Sequence, residues 1–360
     1  MSVCVGLDIG SRTSIVGVRK DGRPAGQWDI AQTPAGRKAA VKKLLALKPK
    51  SIVMEATGIY YLDLALELQA ADLPVSVINP KSFHNFAKLM LVNSKTDAID
   101  AQLLSEYGER MTPRLWTPPS PVQLELRALG RHINRLVGHR TRAKNELHAL
   151  QATSTTVSML IEDQEEAIAS LDNRIERFRK AGREMVAQCP TLTRQYKQLL
   201  AGPGIGEVSA LAALAELTTL PQMLKSSQVA RHAGLDVRQT QSGTSIDKPG
   251  RLGKSGNAYL RAAMYMPALT AVRCDPYAKA FYESLVSRGK KKMQAIAAVM
   301  RKYLTGIWAC MRGDVPFDTV KLFSSEHLPQ VQHRAQGWRC TCGSWLAGDE
   351  ASVGYLNLKP

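Results

Sequence analysis

The first hundred residues alternate short apolar runs rich in Val and Ile with longer amphipathic stretches. Such alternation leaves few choices besides a layered α/β domain around one sheet. Residues 3–9 read as a first strand, and residues 14–19 and 26–30 as two more, joined by a turn at Asp21-Gly22. A helix is expected over 38–47, then a short buried strand over 51–54 that ends at Glu55. A helix over 59–71 and an apolar strand over 74–78 follow. Pro80 opens another helical stretch, and a further helix covers 98–110.

A hairpin meander followed by αβαβα is the ribonuclease-H-like order. The alternation then stops at a proline-dense segment, residues 112–121, which marks a boundary. Long stretches with few helix breakers cover 122–152 and 157–189. In the second, Ile161, Ile168, Leu171, Ile175 and Phe178 make a heptad-like seam. An antiparallel helical hairpin, a coiled-coil dimer arm or an ordinary globular helix pair would each bury it. From Pro190 onward the chain reads as mainly α, with helices over 207–216, 226–233, 258–271, 276–287 and 292–311. The tail after Phe317 reads as irregular and poorly ordered.

Charge points to the partner. Forty-eight Lys and Arg stand against 31 Asp and Glu, a formal charge of +17, and most of the excess lies beyond residue 110. Between Lys248 and Lys302 there are twelve basic residues and two acids. A polyanion suits this better than a small neutral substrate. No apolar run is long enough to span a bilayer, and no signal-peptide pattern opens the chain. Six scattered cysteines imply a reducing compartment, so a cytoplasmic protein is expected. Cys340-Thr341-Cys342, with His327 and His333 upstream, lacks the spacing of common zinc sites.

Four acids carry the candidate chemistry. Asp8 interrupts the first apolar strand, Glu55 ends a second, and Asp97 and Asp100 project from one face at the head of a helix. A lone carboxylate in a buried strand is costly unless it is paired or binds a metal. Converging, the four would form an oxygen-lined site for Mg²⁺, and two such ions could clamp a phosphodiester displacement. Taken singly, Asp97 and Glu55 also suit the plainer role of capping the helices that follow them.

These residues sit in motifs that resemble a known family. Gly6-Leu7-Asp8-Ile9-Gly10, Met54-Glu55-Ala56-Thr57-Gly58, Val77-Ile78-Asn79-Pro80 and Lys95-Thr96-Asp97-Ala98-Ile99-Asp100-Ala101 look like the DEDD transposases of bacterial insertion sequences. The likeness continues through Pro203-Gly204-Ile205-Gly206, Ala233-Gly234-Leu235, Gln241-Ser242-Gly243-Thr244-Ser245, Gly253-Lys254-Ser255-Gly256-Asn257 and Leu260-Arg261. It runs from about residue 3 to Asp318.

The resemblance implies three parts: a RuvC-like DEDD catalytic domain (1–112), a helical coiled-coil arm (122–189) and a transposase domain with a nucleophilic serine (190–320); the irregular tail (321–360) lies outside it. It implies Mg²⁺ on Asp8, Glu55, Asp97 and Asp100, and a serine attacking DNA at the element ends and target. That serine corresponds to Ser242, with Ser245 and Ser255 as rivals. It further implies a bridge-type guide RNA and a homodimer assembling to a tetramer.

Gly202-Pro203-Gly204-Ile205-Gly206 looks like a helix–hairpin–helix element, whose Gly204 and Gly206 would let backbone amides meet a DNA phosphate; a purely structural tight turn is the alternative. Arg251, Lys254 and Arg261 are expected to add phosphate contacts. Two other enzymes suit part of the pattern. A Holliday-junction-resolvase-like nuclease would use the four acids with water. An actin-like sugar or acetate kinase shares Gly6-Leu7-Asp8-Ile9-Gly10-Ser11, but its second glycine-rich loop and adenosine-binding segment are not evident in residues 111–360.

Overall fold

The computed structural model describes residues 2–323, apart from 57, 93, 95 and 243–245. The chain divides into two compact units, 1–118 and 119–360.

The first unit opens with β1 (Val3–Asp8), β2 (Thr13–Lys20) and β3 (Arg23–Ala31), followed by α1 (Pro34–Leu47) and β4 (Ser51–Glu55). Then come α2 (Tyr61–Ala70), β5 (Val75–Ile78), α3 (Pro80–Leu89) and α4 (Asp97–Met111). The sheet order is β3-β2-β1-β4-β5. β1, β2 and β3 pair antiparallel, and β1–β4 and β4–β5 pair parallel. This is the meander followed by αβαβα that the sequence implies. The helix α1 starts earlier than hydrophobic periodicity suggests, because Thr33 caps it (Oγ1 accepts from the Gly36 amide, 3.1 Å) and Pro34 opens its first turn.

Both faces of the sheet are covered, which explains the near-continuous apolar strands. On one face Val5, Leu7, Val16, Ile52 and Met54 pack with Leu44 of α1 and Leu64 and Leu68 of α2. On the other, Val53 and Ile78 pack with Phe83 and Phe86 of α3 and Leu103 and Leu104 of α4.

The second unit begins with α5 (Pro121–Gln151) and α6 (Ser158–Ala187), then α7 (Pro190–Leu200), α8 (Glu207–Leu217) and α9 (Ser226–His232). A two-stranded hairpin, β6 (Val237–Ser242) and β7 (Ile246–Leu252), interrupts the helices. After it come α10 (Ala258–Ala263), α11 (Tyr265–Cys274), α12 (Pro276–Ser287), α13 (Lys292–Gly313) and α14 (Thr319–Leu322). α5 and α6 run antiparallel, fixed by the Arg140–Asp172 ion pair at 2.8 Å and by His132 set edge-on to Phe178. Leu126, Ile133 and Ile175 of this pair share one core with Leu211 and Leu214 of α8 and Tyr303 and Trp308 of α13. Towards the tip the seam thins, and Val157, Met159 and Leu160 are exposed.

Three expectations change. The single helix over 258–271 is two, broken at Met264, because Pro267 lacks an amide hydrogen and its ring would clash with the carbonyl of Ala263. The chain on either side of residues 243–245, for which no strand was expected, forms the β6–β7 pair. The chain just after Phe317 is ordered: Asp318 caps α14 through the Val320 amide (2.9 Å), and Phe323 is buried against Phe281 and Tyr303. Residues 324–360, with His327, His333, Cys340 and Cys342, lie outside the described residues, as do Gly243, Thr244 and Ser245. Among the described residues no helix is long and apolar enough to cross a membrane.

Candidate active site and nucleic-acid interface

The backbone register brings the first two acids together. β1 and β4 are parallel neighbours in which Leu7 stands beside Met54, so Asp8 and Glu55 end adjacent strands at the same level. Side chains two apart share a face of a strand. Gly6, and with it Asp8, faces α4: a methyl group on Gly6 would collide with the backbone of Ala101 and Ser105. Val53, and with it Glu55, faces the same helix, because a methyl group on Gly108 would lie 2.8 Å from the Val53 side chain. α4 also runs against the strand direction: Gly108 lies beside Ser51 at the start of β4, and Arg19, level with Cys4, pairs with Glu106 and Glu109, whereas Ala101 lies beside Gly6, further along β1. Its N-terminal turn, which carries Asp97 and Asp100, lies towards the strand ends that carry Asp8 and Glu55.

The capping alternatives fail on the geometry. Thr96, not Asp97, caps α4: its Oγ1 accepts from the Ile99 amide at 3.2 Å. α2 begins at Tyr61 with Tyr60 at its cap, so Glu55 lies too far upstream to serve that helix. The donor set is all carboxylate, the hard oxygen chemistry that suits Mg²⁺. Among the described residues no three His, Cys, Asp or Glu side chains form a ready-made metal cage. Mg²⁺ commonly keeps several waters and takes one or two carboxylates together with substrate phosphate, so Asp8 and Glu55 on adjacent strand ends are the residues that would hold it, with Asp97 and Asp100 on the helix turn towards that end.

In the second unit, Ser242 is the last residue of β6 and pairs with Ile246 at the end of the hairpin where the two strands connect. Ser245 lies outside the described residues. Ser255 sits at the foot of the hairpin, where its Oγ accepts from Arg238 Nη2 at 2.6 Å. Arg251 and Lys254 are exposed. Lys254 holds a left-handed backbone (φ 51°), unusual for a side chain of its size, while its amide donates to the Gly234 carbonyl. Arg251 stands directly across the hairpin from Arg238. Facing like charges repel, so a bound anion between them would be favoured. Arg238 is the residue that sequence reasoning missed, because the polar run Val237-Arg238-Gln239-Thr240 carries no apolar alternation to mark it as a strand.

Two expected phosphate contacts do not hold as such. Arg261 is 4% exposed; its Nη1 donates to the Ala233 carbonyl at 2.8 Å, and burial draws its pKa below the usual arginine value. It holds α9 to α10 instead of facing solvent. Gly204, in the loop between α7 and α8, has φ 79° and sits against the backbone of Pro267 and Ala271 in α11. Packing and backbone conformation account for that glycine without a ligand. Tyr303 anchors the same loop by donating to the Pro203 carbonyl at 3.1 Å. Gly206 is exposed at the start of α8, but Glu207 follows it and pairs with Arg179 (2.8 Å) and Arg183 (3.1 Å), so an acid already occupies that first turn. On α5, His132 packs against Phe178; burial, then the nearby Arg135 and Arg174, holds its imidazole below the usual histidine range.

Comparison with known proteins gives this geometry a family. Residues 5–154 match a family model described as a transposase, the IS110 DEDD model, and residues 196–283 match the transposase model of the IS116/IS110/IS902 family. The pilin gene-inverting protein of Moraxella bovis is 33% identical over 276 residues, covering 74% of this chain and 81% of that one. The transposase for insertion sequence element IS1111A of Coxiella burnetii is 23% identical over 311 residues, 75% of this chain and 80% of its own. The structure of Thermus thermophilus RuvC in complex with a Holliday junction substrate covers 31% of this chain and 96% of its own, at 14% identity and a TM-score of 0.23. The fold assignment rests on the sheet order itself. A DEDD model over residues 5–154, a transposase model over residues 196–283, and a relative matched across most of its length agree: the chain belongs to the IS110 family of DEDD transposases and is an enzyme acting on DNA.

Proposed function

We propose that the chain cuts and rejoins DNA strands in Mg²⁺-dependent transposition, with Asp8, Glu55, Asp97 and Asp100 as the metal-holding carboxylates and Ser242 as the nucleophile. The observation that carries this reading is Asp8 and Glu55 level on adjacent strand ends, on the face that α4 covers, with the helix turn of Asp97 and Asp100 towards the same end. Bound there, the metal would supply charge neutralisation at the phosphodiester and lower the pKa of an oxygen nucleophile.

The serine oxygen forms a bond to phosphorus, and the bond from phosphorus to a deoxyribose oxygen breaks. The serine proton is released and the leaving oxygen takes one up, through water. No water is consumed, so the phosphoserine ester conserves the bond for attack by another strand's hydroxyl. Arg251, Lys254 and Arg238 hold the backbone of the strand beside the hairpin. A guide RNA encoded by the element uses the basic second unit, and a homodimer assembling to a tetramer brings one chain's Ser242 to another's carboxylates.

The test is incubation with labelled element-end DNA, the element's RNA and Mg²⁺, followed by peptide mapping of any protein–DNA adduct. An adduct on Ser242 that is lost in Ser242→Ala supports the reading. An adduct on Ser245 or Ser255 would move the nucleophile. Full recombination by Ser242→Ala would return the enzyme to a resolvase-like nuclease that uses water.

A further inference from the structure

We propose that the buried carboxylate of Glu216 is a positioning residue for strand cleavage, holding through Asn257 the loop from which the Ser242 hairpin rises. The proposal rests on the reading of Ser242 as nucleophile and adds the device that would orient it.

Glu216 is buried near the end of α8, among Leu211, Ala213, Leu214, Ala215 and Leu217. A charge in such a place adds little net stability, and its better-attested use is to fix one geometry. Three contacts do so here. Arg131 of α5 grips both carboxylate oxygens, Nε to Oε1 at 2.6 Å and Nη2 to Oε2 at 2.9 Å. Asn257 donates its Nδ2 to Oε2 at 2.5 Å. The Arg131 guanidinium also lies over the ring of Tyr259, 4.8 Å from its centre, so both partners of Glu216 meet at the start of α10.

Asn257 ends the Gly253–Asn257 loop, and every part of that loop is tied down. The Asn257 side-chain oxygen caps α10 through the Leu260 amide at 3.0 Å, and its own amide donates to the His232 carbonyl at 2.6 Å. Gly253 donates to the Asp236 carbonyl (2.8 Å) and Lys254 to that of Gly234 (3.0 Å). Ser255 accepts from Arg238. Residues 232–236 lead directly into β6, and β7 ends at Leu252, directly before the loop. Both legs of the hairpin therefore stand on a base whose inner anchor is Glu216. Tilting that base displaces Ser242, at the far end, more than Arg238, Arg251 and Lys254, which lie at or near the base itself. Loss of the anchor should slow chemistry more than it weakens binding.

The side chains permit a reciprocal exchange. Asn257→Asp keeps the helix cap, since Asp and Asn cap about equally well, but turns the donor facing Glu216 into an acceptor. Glu216→Gln in the same chain supplies the missing donor from the other side. The measurement is single-turnover cleavage by the full chain with element-end DNA, the element's RNA and Mg²⁺, alongside the Kd for that DNA. Asn257→Asp should cut the rate by more than tenfold with Kd changed less than twofold, and the double variant, whose new amide gives up the Arg131 Nη2 contact to that position, should recover at least threefold over the single one. Wild-type cleavage by Asn257→Asp would overturn the proposal, as would a folded double variant that stays as slow as the single one. Should the double variant fail to fold, hydrogen exchange decides. Faster exchange of amides 237–252 in Asn257→Asp, with α5 and α8 unchanged, is the expected result, and unchanged hairpin exchange overturns the proposal. A wild-type chain that cleaves without a serine adduct refutes the nucleophile assignment. The loss and recovery of rate would still report the positioning role, so the two failures are distinct.

Discussion

Replacing Gly6 by alanine tests the geometry that gathers the four acids. The added methyl group has no free space: it would overlap the backbone of Ala101 and Ser105, so α4 must lift from β1. Overpacking of this kind costs about 1–3 kcal/mol, because backbone cannot rotate away as a side-chain tip can. For a unit of this size that corresponds to a fall in melting temperature of about 4–12 °C. The functional effect should be larger than the thermal one. α4 carries Asp97 and Asp100, and a shift of about 1 Å in a reacting group can cost roughly 100-fold in rate. The assay is calorimetry of the intact chain together with single-turnover cleavage of element-end DNA at saturating Mg²⁺. Gly26→Ala on β3 is the control, since a methyl group there meets nothing within 4 Å and should change stability by less than about 0.5 kcal/mol. If Gly6→Ala melts and cleaves like the Gly26 variant, α4 does not seat on β1 as described, and the convergence of the acids loses its basis.

Asp8→Asn and Glu55→Gln should each abolish cleavage while retaining DNA binding in a gel-shift assay, because the neutral amide no longer repels phosphate; removal of Mg²⁺ by chelation should also abolish cleavage, reversed on re-addition. Replacing Arg251 and Lys254 together by alanine should flatten the dependence of log affinity on log salt by about 2 if both meet phosphates of duplex DNA. Arg261→Ala should leave that slope unchanged and instead lower the melting temperature, since its guanidinium is buried against the Ala233 carbonyl.

The sheet was legible in the sequence because strands covered on both faces read as unbroken apolar runs, and Asp8 stood out within one of them. Asp97 and Asp100 were legible as a pair from helical spacing alone. The true cap, Thr96, decides that Asp97 is free of that duty, and only the hydrogen bond to Ile99 shows it. The hairpin at 237–252 was missed because its strands are polar and present no apolar face. Arg261 was misplaced for a related reason: a lone arginine on a six-residue helix carries no sign of burial, and only the carbonyl of Ala233 reveals its partner. Glu216 gave no signal either, since Arg131, which pairs with it, is 85 residues away in sequence.

The division of the chain at Pro118 has a consequence for its synthesis. All strands and helices of the first unit, with their core, are complete once that residue has left the ribosome, and domains generally fold as units beginning from the N-terminus. The remaining chain takes roughly 10–50 s to translate at about 5–20 residues per second. During that interval the sheet and its four acids can form before Ser242 has been made. A ribosome that stops before residue 242 would release the sheet and its acids without the serine or the basic residues of 248–302, so under this mechanism the truncated product would hold nucleic acid weakly and form no covalent joint.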